Sequence, residues 1–93
     1  MLLKQIDYFL AVVNAKSFTA AARDCGVSQS AISQQIGLLE KNLGVRLLER
    51  HNRTFTLTEA GEYFYKESTK ISRSVAKMMK ETERIGKSED QRR

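Results

Sequence analysis

Proline is absent from the chain, so any helix must be delimited by glycine, by capping side chains or by a change of hydrophobic period. Cys25 is the only cysteine and His51 the only histidine, which excludes an internal disulfide framework and a Cys/His zinc site built within one chain. No stretch approaches the roughly 20 apolar residues of a membrane span, and the opening Met1-Leu2-Leu3-Lys4-Gln5-Ile6-Asp7 turns polar too soon for a secretory signal. A cytoplasmic protein without a membrane partner is expected. Phosphate-cradling glycine motifs, paired metal-binding carboxylates and nucleophile motifs are also missing, and the lone histidine sits in a turn. Neither catalysis nor a metal or cofactor held by this chain is expected.

What is present is enough to pack. The 93 residues are 41% hydrophobic and 29% charged, the balance of one small folded domain rather than of a disordered chain. A domain this short buries a limited fraction of its surface, so partner contacts are expected to add stability. Sixteen Lys and Arg against eleven Asp and Glu leave a net charge of +5, which favours a polyanionic partner without proving one.

Five segments follow from hydrophobic period and punctuation. Ile6, Phe9, Leu10 and Val13 mark a one-faced helix from about Leu3 to Ala15. Ser17 is placed to cap a short second helix, Phe18 to Cys25, whose alanines permit a close crossing, and Gly26 is placed to end it. Ser28 caps a third helix with Ile32, Ile36, Leu39 and Leu43 on its apolar face, and Gly44 stops it. Leu47-Leu48-Glu49-Arg50 and Phe55-Thr56-Leu57 read as strands of a small hairpin around His51-Asn52-Arg53-Thr54. Thr58 then caps a long helix reaching about Gly86, roughly 40 Å at 1.5 Å per residue, and residues 87–93 read as a polar tail. The expected class is mainly α, in the order helix, helix, helix, hairpin, helix.

The most informative stretch is Ala22 through Ile36. A small residue at Ala22, a turn at Gly26, and Val27, Ile32 and Ile36 directed into the core give a helix-turn-helix. On the opposite face of its second helix lie Gln29, Ser30, Ser33, Gln34 and Gly37, with no carboxylate to repel phosphate. A glutamine amide both donates to and accepts from an adenine edge, and serine hydroxyls serve bases or phosphates, so Gln29 and Gln34, followed by Ser33, are the expected base readers. The hairpin adds Arg50, His51, Asn52 and Arg53, a basic loop suited to phosphates or the minor groove, with Arg53 the candidate groove residue. Cys25 occupies a core position of the turn and needs no redox role.

Along the long helix Phe64, Ser68, Ile71, Val75, Met78, Thr82 and Ile85 alternate spacings of four and three, a heptad seam. Part of the seam could rest on the domain's own first helix, but the portion beyond about Ile71 outreaches so small a domain, and pairing with a second copy would cover its apolar stripe. Ser68 and Thr82 weaken the seam. Lys66, Lys70, Arg73, Lys77, Lys80, Arg84 and Lys87 form a basic stripe about 200° away, read as a solvated face partly balanced by Glu67, Glu81 and Glu83.

Taken together, Ser17-Phe18-Thr19-Ala20-Ala21-Ala22, Val27-Ser28-Gln29-Ser30-Ala31-Ile32-Ser33, Leu38-Leu39-Glu40, Leu43-Gly44-Val45, Leu47-Leu48-Glu49-Arg50 and Leu57-Thr58-Glu59-Ala60-Gly61-Glu62 closely resemble the LysR-type transcriptional regulators over nearly the whole chain. The resemblance implies a winged helix-turn-helix over residues 1–58, with a three-helix core and a hairpin wing. A linker helix over 59–86 would pair with its mate, usually antiparallel, and the tail 87–93 would lead to an effector-binding domain outside this sequence. It implies promoter DNA with partial dyad symmetry as the partner, a small-molecule effector for the full-length protein, and RNA polymerase and a tetramer as further associations. It also matches Gln29, Ser30, Ser33 and Gln34 to recognition-helix positions, and Thr19, Arg50 and Arg53 to positions near phosphate or the minor groove; Ser28 and Asn52 complete the expected DNA-binding residues. Many members carry arginine at the place of Gln34, and phenylalanine and leucine are common at those of Leu48 and Cys25. The competing reading is a winged-helix module that binds only protein; it predicts no DNA affinity at moderate salt, whereas promoter binding should weaken steeply as salt rises.

Overall fold

The computed structural model describes residues 2–91. The order is α1 (Leu2–Ala15), α2 (Phe18–Cys25), α3 (Gln29–Leu43), β1 (Leu48–His51), β2 (Thr54–Leu57) and α4 (Glu59–Gln91). The boundaries are set by the caps expected from the sequence. The Ser17 hydroxyl accepts from the Ala20 amide at 3.0 Å, and that of Ser28 from the Ala31 amide at 3.1 Å. Gly26 ends α2 at φ +69°, where its N–H reaches Arg23 and that of Val27 reaches the Ala22 carbonyl at 3.0 Å, so the left-handed turn satisfies the last carbonyls and returns Val27 to the core. Gly44 repeats this device at φ +74° after α3.

The three N-terminal helices enclose Phe9, Val12, Ala21, Ala22, Ile32, Ile36 and Leu39, and Leu47 and Leu48 close the core from the start of the wing. Helix α1 is buried over a wider arc than the expected stripe: Tyr8 and Val12 join Ile6, Phe9 and Leu10, whereas Val13 is only half-buried. The cause is that α1 packs against α2, α3 and α4 together. The apolar face of α3 stops one turn early, because Leu43 is 46% exposed beside the Gly44 turn. Beyond Leu39 that face has run past the core.

Strands β1 and β2 are antiparallel, with His51 opposite Thr54 across the two-residue loop Asn52-Arg53; Asn52 takes φ +33°, a conformation asparagine tolerates better than most side chains. Three backbone-directed contacts seat this hairpin. Glu40 of α3 accepts through Oε2 from the amides of Leu47 (2.8 Å) and Leu48 (3.2 Å). Thr58 donates its hydroxyl to the Arg46 carbonyl and accepts from the Gly61 amide, capping α4. Gly61 then passes so close to the residue before β1 that a Cβ there would stand 2.0 Å from the Leu47 carbonyl oxygen, a place only glycine fits.

Two expectations for the long helix need correction. Residues 87–91 are not a loose polar tail: α4 continues helical to Gln91, past Gly86, giving 33 residues and about 50 Å of rod. The last two tail positions, 92–93, lie outside the described residues. Second, the dimerisation residues expected from Phe64 onward divide, and the start of the seam takes the alternative left open for part of it, resting on the domain's own first helix. The Phe64 ring meets Phe9 edge-on at 5.3 Å, Tyr65 donates to Asn14 at 2.5 Å, and Ser68 is 2% exposed within a single chain. Phe64 and Ser68 therefore belong to the protomer's own packing, because α4 must cover α1 before it leaves the domain. Ile71, Met78 and Ile85 remain largely exposed, as does Thr82, and Val75 is half-buried.

Candidate nucleic-acid interface

The second helix of the helix-turn-helix and the wing enclose a shallow groove. Its walls are the start of α2 (Ser17, Phe18, Thr19), one face of α3 (Gln29, Ser33) and the hairpin (Arg50, Asn52, Arg53, Thr54, Phe55), with no carboxylate among these lining residues. Six of the nine side chains nominated from the sequence for this surface thus converge: Thr19, Gln29, Ser33, Arg50, Asn52 and Arg53. Ser28, Ser30 and Gln34 do not line the groove. They lie exposed at the start and along the outer face of α3, Ser28 held as the cap and its hydroxyl 3.2 Å from that of Ser30.

Within the groove the polar groups are already organised. Thr19 Oγ1 donates to Gln29 Oε1 at 2.9 Å, joining the first turns of α2 and α3. Arg50 Nη1 donates to Ser33 Oγ at 3.0 Å, joining the wing to α3. The Arg50 guanidinium also lies over the Phe18 ring, 4.6 Å from its centroid, and that ring meets Phe55 edge-on at 5.6 Å. One Arg50 donor is spent on Ser33, and the others of its fork remain for an anion at the groove edge.

Phe18 and Phe55 as the support for Arg50 were not read from the sequence. Phe18 is the first residue after a cap and Phe55 a strand residue, so each looks locally like ordinary packing, and only the docking of the wing on α2 brings them under the guanidinium. Gln35, also unassigned, turns away from the groove and accepts from Gln5 of α1 at 3.3 Å. Cys25 is half-buried against the core. On α4 the basic stripe is partly paired, with Lys70 bonded to Glu67 and Arg84 to Glu81. Among the described residues no cluster of three or more His, Cys, Asp or Glu could hold a metal ion, and no helix is long and apolar enough to cross a membrane.

A three-helix core whose third helix is exposed beside a two-stranded wing, with a long helix leaving the domain, is a winged helix-turn-helix. The chain belongs to the LysR family: the family model described as "Bacterial regulatory helix-turn-helix protein, lysR family" matches residues 3–62. Among curated relatives it is 41% identical over 85 residues to the HTH-type transcriptional regulator BenM of Acinetobacter baylyi, covering 91% of this chain and 28% of that protein. It is 49% identical over 71 residues to the regulator BudR of Raoultella terrigena, covering 76% of this chain and 24% of that protein. The chain thus spans about a quarter of the length of these relatives. Among solved structures, the BenM DNA-binding domain in complex with catB site 1 DNA superposes with a TM-score of 0.88 at 41% identity, covering 92% of this chain and 96% of that one. The CbnR DNA-binding domain in complex with DNA gives 0.83 at 36% identity, covering 92% and 99%.

Proposed function

We propose that this chain is the sequence-specific double-stranded-DNA-binding unit of a promoter regulator that acts as a homodimer. The observation that carries the reading is the convergence of Gln29, Ser33, Arg50 and Arg53 on one groove walled by hydrogen-bonding and cationic groups. Helix α3 enters the major groove with Gln29, Ser33 and Gln34 toward base edges. Ser28, Ser30, Arg50 and Asn52 serve the flanking phosphates, and Arg53 at the wing tip serves the minor groove. The likeness to two domains whose structures are DNA complexes supports this reading over a protein-only module.

Residues 1–58 act in this reading as the reader and the helix from residue 59 as the pairing device, through Ile71, Val75, Met78, Thr82 and Ile85. Two antiparallel copies present two reading helices, which suits a dyad-symmetric site. The full-length protein takes a small-molecule effector in a further domain, assembles up to a tetramer and contacts RNA polymerase from the cytoplasmic side. No catalytic step is required.

Selection of bound duplexes from a random pool tests the proposal. A dyad-symmetric consensus is expected, with affinity falling steeply between 50 and 200 mM salt as counterions compete for phosphates, as is usual for proteins making about 6–10 phosphate contacts. Gln29→Ala should lower preference for the consensus more than affinity for random duplex. An unenriched pool, or equal losses on both duplexes, would overturn it.

A further inference from the structure

We propose that Thr19 determines base specificity without reading a base itself, as a positioning residue that holds the Gln29 amide in place. The inference rests on Gln29 being a base reader, as proposed above. Thr19 is the second residue of α2 and Gln29 the first of α3, and each sits one or two residues after a capped helix start, so the backbones at both ends of the bond are fixed by Ser17 and Ser28. The Thr19 hydroxyl donates across the turn to Gln29 Oε1 at 2.9 Å.

Other threonines of this chain behave differently. Thr69 and Thr82, inside α4, donate to the carbonyls one turn back, Tyr65 and Met78, at 2.9 and 2.7 Å. That is the usual local outlet for a helical threonine. Thr19, at the start of its helix, has no helical carbonyl one turn behind it, and its hydroxyl goes to the reading side chain instead.

The consequence for recognition is chemical. A free glutamine presents its carbonyl or its amino group to a base edge with equal ease. Thr19 takes one of the two lone pairs of Oε1, so the amide is held in place with its second lone pair and both N–H donors of Nε2 left for a base edge. An amide held so can take the N6 donor and N7 acceptor of adenine, or give both donors to O6 and N7 of guanine. The bond therefore fixes which of these edges the amide can meet, a choice that an unheld glutamine leaves open.

The test is selection from a random duplex pool by the wild-type chain, Thr19→Val, Thr19→Ser and Gln29→Ala, with thermal melts to confirm that each variant folds. The wild type and Thr19→Ser should enrich one base pair at one step of each half-site. Thr19→Val should keep the rest of the site and lose that preference by about fivefold, the lower end of what a well-placed base contact discriminates. Gln29→Ala should erase the same step. A uniform affinity loss for Thr19→Val, with the step intact while Gln29→Ala still erases it, overturns the positioning role and leaves the base-reading assignment standing. A consensus untouched by Gln29→Ala overturns both.

Discussion

The Arg50 guanidinium lies 4.6 Å above the Phe18 ring while its Nη1 donates to Ser33, so one arginine on the wing is held by the first residue of α2 and by the reading face of α3. A side chain fixed at both ends loses less conformational freedom when an anion arrives than a free arginine does. In the proposed function the wing and α3 therefore meet DNA as one surface.

Phe18→Leu keeps an apolar side chain beside Phe55 and removes the aromatic face. Duplex affinity should fall about two- to fivefold, matching roughly 0.5–1 kcal/mol for an exposed cation–π contact, and equally on cognate and random duplexes because the loss acts at phosphate. In an Arg50→Ala background the same substitution should cost almost nothing. Titration of a labelled duplex by anisotropy measures the cycle. A loss of the same size in both backgrounds would show that Phe18 acts through packing alone.

Gly61→Ala places a methyl 2.0 Å from the Leu47 carbonyl oxygen, and backbone on both sides leaves nothing flexible to yield. The expected cost is about 1–3 kcal/mol or more, which in a domain of this size lowers the melting temperature by roughly 4–8 °C per kcal/mol. Thermal denaturation followed by circular dichroism decides it. An unchanged midpoint would mean that α4 can lift off β1 freely.

Glu40→Ala removes the acceptor for the buried Leu47 and Leu48 amides. Stranding such donors costs about 1–3 kcal/mol, whereas Glu40→Gln keeps an amide oxygen in reach and should lose less. Hydrogen exchange at these two amides should quicken in the alanine variant before the core of α3 opens. Protection equal to the wild type would show that solvent replaces the carboxylate without penalty.

Phe64 and Ile71 lie on one helical seam but should fail in different ways. Phe64 packs on Phe9 inside the protomer, so Phe64→Ala should destabilise the fold, by about 3 kcal/mol at the low end for such truncations. Ile71 is 45% exposed, so Ile71→Glu should leave the melting temperature of the domain nearly unchanged while converting dimers to monomers in analytical ultracentrifugation. A dimer mass that survives Ile71→Glu would remove the seam from the assembly.

Much of this molecule is legible along the chain because its signals are local. Ser17, Ser28 and Thr58 act on amides one turn away, Gly26 and Gly44 supply left-handed turns beside the helices they end, and the spacing of Ile32, Ile36 and Leu39 requires only that α3 be a helix with one dry side. The uncharged face carrying Gln29, Ser33 and Gln34 follows from the same periodicity. Each reading needs a window of a few residues and the geometry of one element.

What spacing alone left undecided is where separate elements meet. A period of three and four cannot distinguish a residue that covers its own domain from one that awaits a partner, so Phe64 and Ser68 joined Ile71 in one seam until the crossing of α4 over α1 divided them. Composition likewise could not show that residues 87–91 continue the helix, since a charged segment is equally at home in a solvated rod or a coil. The aromatic support under Arg50, the bond from Thr19 to Gln29 and the contact of Gly61 with Leu47 join residues 32, 10 and 14 positions apart. Each arises because two independently determined elements are pressed together by burial of a common core, a force without direction that only the packed chain converts into particular distances.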